Sequence, residues 1–174
     1  MNEITTQPNR LPVPTGAINP DDPIKELPRI LRPLIDEPTA RLIQFLRWGG
    51  VLPDDRKKQA IKVLTDLWHK WCEYSQRASD EMIKQTLNKI ANTFQVRPPN
   101  KPAVEMYCGA LSILPEPVFK AAAIGVVRKH RYSTIPLPAD FLSQEEAVEW
   151  IESHEQTNAW LETFVARQQV LLAT

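Results

Sequence analysis

The stretch Val104–Leu142, VEMYCGALSILPEPVFKAAAIGVVRKHRYSTIPLPADFL, decides the fold. It reads as helix, short turn, helix, basic end and proline-locked strap. Val104, Tyr107, Cys108 and Leu111 recur every three or four residues, which sets them on one helix face. Pro115 and Pro117 are excluded from a helix interior but suit the first turn of a second helix. That helix turns Val118, Ala121, Ala122 and Val126 inward. It ends on Arg128, Lys129, His130 and Arg131, where cations meet the negative end of the helix dipole. Pro136 and Pro138 then stiffen an extended segment that returns Phe141 and Leu142 to the bundle.

The same logic extends in both directions. Upstream, Ser79 with Asp80 and Glu81 opens a helix carrying Ile83, Leu87, Ile90, Ala91 and Phe94 on one side, and Pro98-Pro99 stops it. Before it, Asp54 or Asp55 caps a helix over Arg56–Ser75. Its stripe holds Ile61, Leu64, Leu67, Trp68, Trp71 and Cys72. A helix over Thr39–Trp48 points Leu42, Ile43 and Leu46 inward, with Gly49-Gly50 as its stop. Trp48, Trp68 and Trp71 are expected in the core between these early helices. Downstream, Ser143-Gln144-Glu145-Glu146 reads as a capping box in which the Ser143 hydroxyl accepts from the Glu146 amide. It opens a long helix to Leu172 whose apolar residues wrap more than one face. No alternating strand pattern and no internal repeat is found. The expected fold is an all-α helical bundle of about six or seven helices with a flexible proline-rich leader.

Residues 1–23 form that leader: Pro8, Pro12, Pro14, Pro20 and Pro23 stand among polar residues, with too little apolar surface to offset ordering. Residues 24–78 read as an N-terminal helical region, 79–142 as a central helical domain and 143–174 as a C-terminal acidic helix. In residues 24–38, Pro28, Pro33 and Pro38 break up the apolar run Ile30–Ile35, as short turns lying on a partner surface or on this protein's own body would require.

The 174 residues carry a formal net charge of zero, so the chain as a whole is no electrostatic glove for nucleic acid. The charge is nonetheless uneven. Residues 1–131 hold 20 Lys/Arg against 14 Asp/Glu, and residues 132–174 hold 1 against 7. An acidic tail after a basic body favours a protein partner, or self-masking, over DNA. With no signal-peptide core and no long apolar run, no membrane partner is expected and the protein belongs in a cytoplasm. Cys72 and Cys108 are then reduced, packed thiols.

Catalytic patterns are absent: the sequence has no G-x-S-x-G, no Walker-type phosphate loop and no H-E-x-x-H. The acid pairs Asp54-Asp55 and Glu145-Glu146 sit at helix starts, where the dipole accounts for them. No enzymatic activity and no cofactor are expected. His69 and Cys72, even with Cys108 and His130, lack the paired close spacing of a zinc site, so no metal is expected either. Arg128, Lys129 and Arg131 are candidate nucleic-acid contacts together with Arg56, Lys57 and Lys58, and Tyr132 stands beside them. A solvated helix end explains the same residues with fewer assumptions.

The helix with an aromatic and "ALS" (Tyr107 to Ser112), the acidic turn at Glu116, the helix ending in Arg128–Arg131 and the closing PLPADF (136–141) together resemble the N-terminal domain of bacteriophage replicative-helicase loader/inhibitor proteins. MIKQTLNKIANTF (82–94) is similar to that family's preceding helix, so the resemblance covers about 79–142. It implies an all-helical domain in a phage or prophage replication accessory protein. The implied partner is a DnaB-type hexameric helicase in the host bacterial cytoplasm. In the absence of a phosphate loop, the implied role is loading or inhibition without nucleotide hydrolysis. The family's contacts lie C-terminal to the matching domain, which here falls on the acidic helix. Trp150, Ile151, Trp160 and Phe164 are therefore the candidate partner-binding residues, with Ile30–Ile35 second. The two tryptophans lie about 80° apart on an ideal helix, so they share only a broad face. Two other functions fit the same features. One is inhibition of a different host machine, such as a defence complex or polymerase; the other is DNA-binding regulation through the Arg128–Arg131 end.

Overall fold

Helix starts and stops set the architecture of the computed structural model, which describes residues 24–25, 27–129 and 134–173. Among the described residues a 3-10 turn, Arg29–Leu34, precedes seven α-helices: α1 Glu37–Arg47, α2 Asp54–Tyr74, α3 Asp80–Phe94, α4 Lys101–Leu111, α5 Glu116–Lys129, α6 Pro138–Leu142 and α7 Glu145–Ala173. The fold class is all-α; among the described residues the only β-type pairing is an isolated bridge between Arg77 and Pro115. The leader expected over 1–23 lies outside the described residues. The chain forms two compact units, one of Met1–Trp68 with Glu155–Thr174, the other of His69–His154.

In the first unit the Asp36 carboxylate caps α1 by accepting from the Thr39 amide at 2.9 Å, with Pro38 in the first turn. Ala40, Ile43 and Leu46 face the core. The helix ends in a Schellman motif: the Gly50 amide reaches the Phe45 carbonyl and the Gly49 amide the Leu46 carbonyl. Gly49 sits at φ +77°, where an L side chain is strained. At Gly50 an added Cβ would collide with the Phe45 ring, so the glycine lets that ring lie on the turn. Leu27, Ile30, Leu31 and Ile35 are buried, and Arg32 ties the segment down by donating to the carbonyls of Leu27 and Lys25. The run Ile30–Ile35 is therefore body, not a partner-facing element. Ala60, Leu64 and Leu67 of α2 and Thr157, Leu161, Phe164, Val165, Gln168 and Leu172 of α7 complete this core. The Gln169 amide donates to the Thr65 hydroxyl at 3.1 Å.

In the second unit, Ser79 caps α3 through the Met82 amide and Asn100 caps α4 through the Ala103 amide. Helix α3 stops at Phe94, before the two prolines, because Gln95 adopts the left-handed conformation at φ 55°. The loop after α2 and the turn into α5 are stitched together: the Ala78 amide donates to Leu114 O at 2.9 Å and the Glu116 amide to Gln76 O at 3.1 Å. Pro117 falls in the first turn of α5, and Val118, Phe119, Ala122, Ala123 and Val126 point inward. The proline strap is partly helical, since Pro138–Leu142 winds into α6. The Asp140 carboxylate accepts from the Leu137 amide at 2.7 Å and locks its first turn. Phe141 is fully buried and stacked against Phe119 with 6.1 Å between centroids.

Ser143 does not cap α7. It ends α6, and its hydroxyl donates to the Asp140 carbonyl at 3.0 Å. The buried Gln144 occupies the junction and donates to the same carbonyl at 2.8 Å. Its side chain lies where a Cβ on Gly125 would have to go, so that glycine permits the close approach of α5. The unit boundaries fall inside α2 and α7 and not at residues 79 and 143. Trp71 and Tyr74 at the end of α2 and Trp150 near the start of α7 form one aromatic cluster, which draws both helix ends into the second unit.

Candidate functional site

Three pieces of the first unit converge on a groove of about 440 Å³. The C-terminal end of α1 contributes Leu46 and Arg47, the glycine turn leads into Val51 and Leu52, and the first turn of α2 supplies Lys57. Helix α7 supplies Trp160, Phe164, Arg167, Gln168, Leu171 and Leu172. The Schellman turn explains the shape, because it reverses the chain directly after α1 and leaves Val51 84 % exposed at the edge. Leu46, Phe164 and Leu172 belong to the core and form an apolar floor. The Trp160 and Phe164 rings stack at 5.4 Å with an interplanar angle of 14°. The Arg47 guanidinium lies 5.8 Å from the Trp160 centroid, within cation–π range.

The rim is cationic. Lys57 is bonded to Asp54 at 2.9 Å, and that hydrogen bond and charge hold the exposed Asp54 carboxyl below its ordinary pKa. Neither Arg47 nor Arg167 is engaged by a carboxylate among the described residues. Exposed Leu171 adds further apolar surface at the groove, and exposed Trp48 follows Arg47 directly in the chain. Such a site accepts an aliphatic or aromatic side chain on its floor and a negative charge at its rim.

The four residues expected to contact a partner therefore have different fates. Trp160 and Phe164 meet on the groove, Trp160 half-buried and Phe164 in its floor. Ile151 is 43 % exposed but belongs to the second unit. Trp150 is 4 % exposed and is removed from any contact face. Its ring packs on Trp71 at 5.6 Å, on Tyr74 at 6.1 Å and on His154 at 5.0 Å. Its indole N–H is buried without a hydrogen-bond partner. Burial, and then the charges of Glu149 and Glu146, push the Tyr74 hydroxyl above its usual pKa. Comparison with protein-family models, curated proteins and solved structures finds no match to this chain.

Other expectations fall elsewhere. Arg128 and Lys129 are exposed at the end of α5, while Arg131, His130 and Tyr132 lie outside the described residues. Arg56, Lys57 and Lys58 are in the other unit. Cys108 is buried, with its thiol pKa raised chiefly by that burial, but Cys72 is exposed and is no core residue. Trp48 is also solvent-facing, at 65 % exposure. Among the described residues no three His, Cys, Asp or Glu side chains are grouped to hold a metal, and no helix is long and apolar enough to cross a membrane.

Arg47, Arg167 and Leu171 had no place among the expected site residues, and Lys57 was expected only as a nucleic-acid contact. The sequence holds a signal for two of them, Arg167 and Leu171. Arg167 is the single Lys or Arg after residue 131, and Leu171 stands off the α7 stripe of Leu161, Phe164, Val165 and Leu172.

Proposed function

We propose that the protein is a replication accessory protein that binds a DnaB-type hexameric helicase as loader, inhibitor or both, with no nucleotide hydrolysis of its own. The reading rests on the resemblance over 79–142. The observation that carries it is the packing of the residues behind that resemblance. Helices α3, α4, α5 and α6 are successive elements of one unit, with α3 packed on α4 and α6 on both α4 and α5. The closing PLPADF segment is held at both ends. The Tyr107 hydroxyl donates to the Pro136 carbonyl at 2.8 Å in a buried hydrogen bond, and Phe141 fills the space beside Phe119.

Such a protein acts by differential binding. It shifts a helicase ring toward loading or toward arrest only as far as it prefers one ring state over another. The test mixes the full chain with the DnaB-type helicase of the host and ATP, reads complex mass by light scattering, and then measures ATPase and loading. A complex with altered ATPase is the expected result. An active helicase that remains at its own mass rejects the reading and leaves a different host machine or DNA as the partner to be sought.

A further inference from the structure

We infer that the groove beside Trp160 docks an acidic amphipathic segment of a partner protein, which inserts apolar side chains over Phe164 and sets carboxylates against Arg47 and Arg167. This inference goes beyond the replication reading and does not rest on it. The groove lies wholly within the first unit.

The argument begins with charge. Two exposed guanidiniums line one groove, neither engaged by a carboxylate of the described residues, and both are open to an incoming anion. Lys57 adds a third cation whose present partner, Asp54, is 93 % exposed and readily exchanged for an incoming carboxylate. The floor supplies the second requirement. Phe164 and Leu172 are core residues seen from their outer side, and Val51 and Leu171 are exposed apolar groups beside them. A ligand with charge alone would leave that surface wet, and one with apolar groups alone would leave the rim uncompensated. A helix carrying Leu or Phe one turn apart, with Asp or Glu flanking them, meets both demands.

Two rival occupants fit less well. Nucleic acid needs a track of cations and free aromatic faces. Here one face of Trp160 meets the Arg47 guanidinium, and its ring also stacks on Phe164. An anionic bilayer would match the cations and the exposed apolar groups. It presents a flat surface, whereas this site is a concave groove of side-chain dimensions.

The experiment pans a random peptide library on the immobilised full chain and measures the selected peptides by fluorescence anisotropy. Enrichment of Asp/Glu together with Leu, Phe or Trp is expected. Arg167→Glu should weaken binding by about three- to tenfold, and a peptide with its acids changed to lysine should recover on that variant. Leu171→Ser, at an exposed position, should weaken binding without changing the circular dichroism spectrum. Basic or uncharged winners, or equal binding to Arg167→Glu, would overturn the inference. So would a chain that ignores the peptides and binds phosphatidylserine vesicles or single-stranded DNA at the same rim. Peptide docking and helicase binding can each succeed while the other fails.

Discussion

Trp150 and Trp160 occupy one helix, α7, and each has acidic residues close in sequence, yet they do opposite things. Trp150 is sealed among Trp71, Tyr74 and His154. Trp160 stands half-buried on a groove, with Phe164 against its ring and a guanidinium nearby. What separates them is the neighbours that other elements bring. Trp150 meets two aromatic rings from the end of α2. Trp160 meets the polar end of α1, where the helix stops and its core-facing stripe has run out. Residue type and flanking charge alone cannot tell a keystone from a contact residue.

The comparison breaks most directly under truncation. Trp150→Ala should lower stability by about 3–5 kcal/mol, since it empties a closed aromatic cluster. Trp160→Ala should cost about 1–2 kcal/mol, because part of that ring is already in water. Trp150→Phe should fall well below Trp150→Ala, as it keeps a ring in place and removes an indole N–H that has no partner. Denaturant melts of the three variants decide the matter. Equal losses for the two alanine variants would mean that Trp160 is core as well.

This contrast also shows how far the sequence could be read. The all-α class followed from caps and stripes that act locally: Ser79, Gly49, Pro117 and the Ile83–Leu87–Ile90 face depend on residues within a turn or two. The departures are of two kinds, local competition at a helix end and partners remote in sequence. Ser143 has the composition of a cap, but the preceding α6 already uses it as a terminus. Trp48 is just past the last buried position of α1, so this aromatic at a helix end faces solvent and not the core. Trp160 and Phe164 were legible as apolar residues of an acidic helix. Their basic rim was not, because Arg47, Lys57 and Arg167 come from three elements that only folding brings together.

Titration sharpens the Trp150 side of the comparison by a smaller amount. Tyr74 packs on Trp150, and its hydroxyl pKa is raised above 10.0 first by burial and then by Glu149 and Glu146. The folded state thus favours the protonated phenol more than the unfolded chain does. The associated stability is fully present below pH 10.0 and is lost as pH rises through the higher folded-state pKa. Tyr74→Phe should flatten the alkaline fall in melting temperature without altering it at neutral pH. Tyr107, raised in the same direction by burial and by Asp140, and Cys108, raised chiefly by burial, add to the slope. An unchanged alkaline limb in Tyr74→Phe would show that this hydroxyl is as free as in the unfolded chain.

The mildest probe leaves the fold intact and asks which way one helix faces. Trp71 and Cys72 are adjacent in α2, the first almost wholly buried and the second exposed. Cys108 is buried on α4, its thiol facing the Asp80 carbonyl at 3.9 Å and its pKa raised mainly by desolvation. A thiol reacts as thiolate and only where reagent can reach it, so the two cysteines should separate by rate. Under native conditions a disulfide reagent should label Cys72 within the mixing time and Cys108 only as the second unit opens. In Trp150→Phe the slow phase should persist. In Trp150→Ala it should accelerate with the lost stability, because opening then exposes Cys108 more often. A Cys108 that is labelled as fast as Cys72 in the unaltered protein would mean that the bundle around α4 is open, and the sealed setting of Trp150 would have to be abandoned with it.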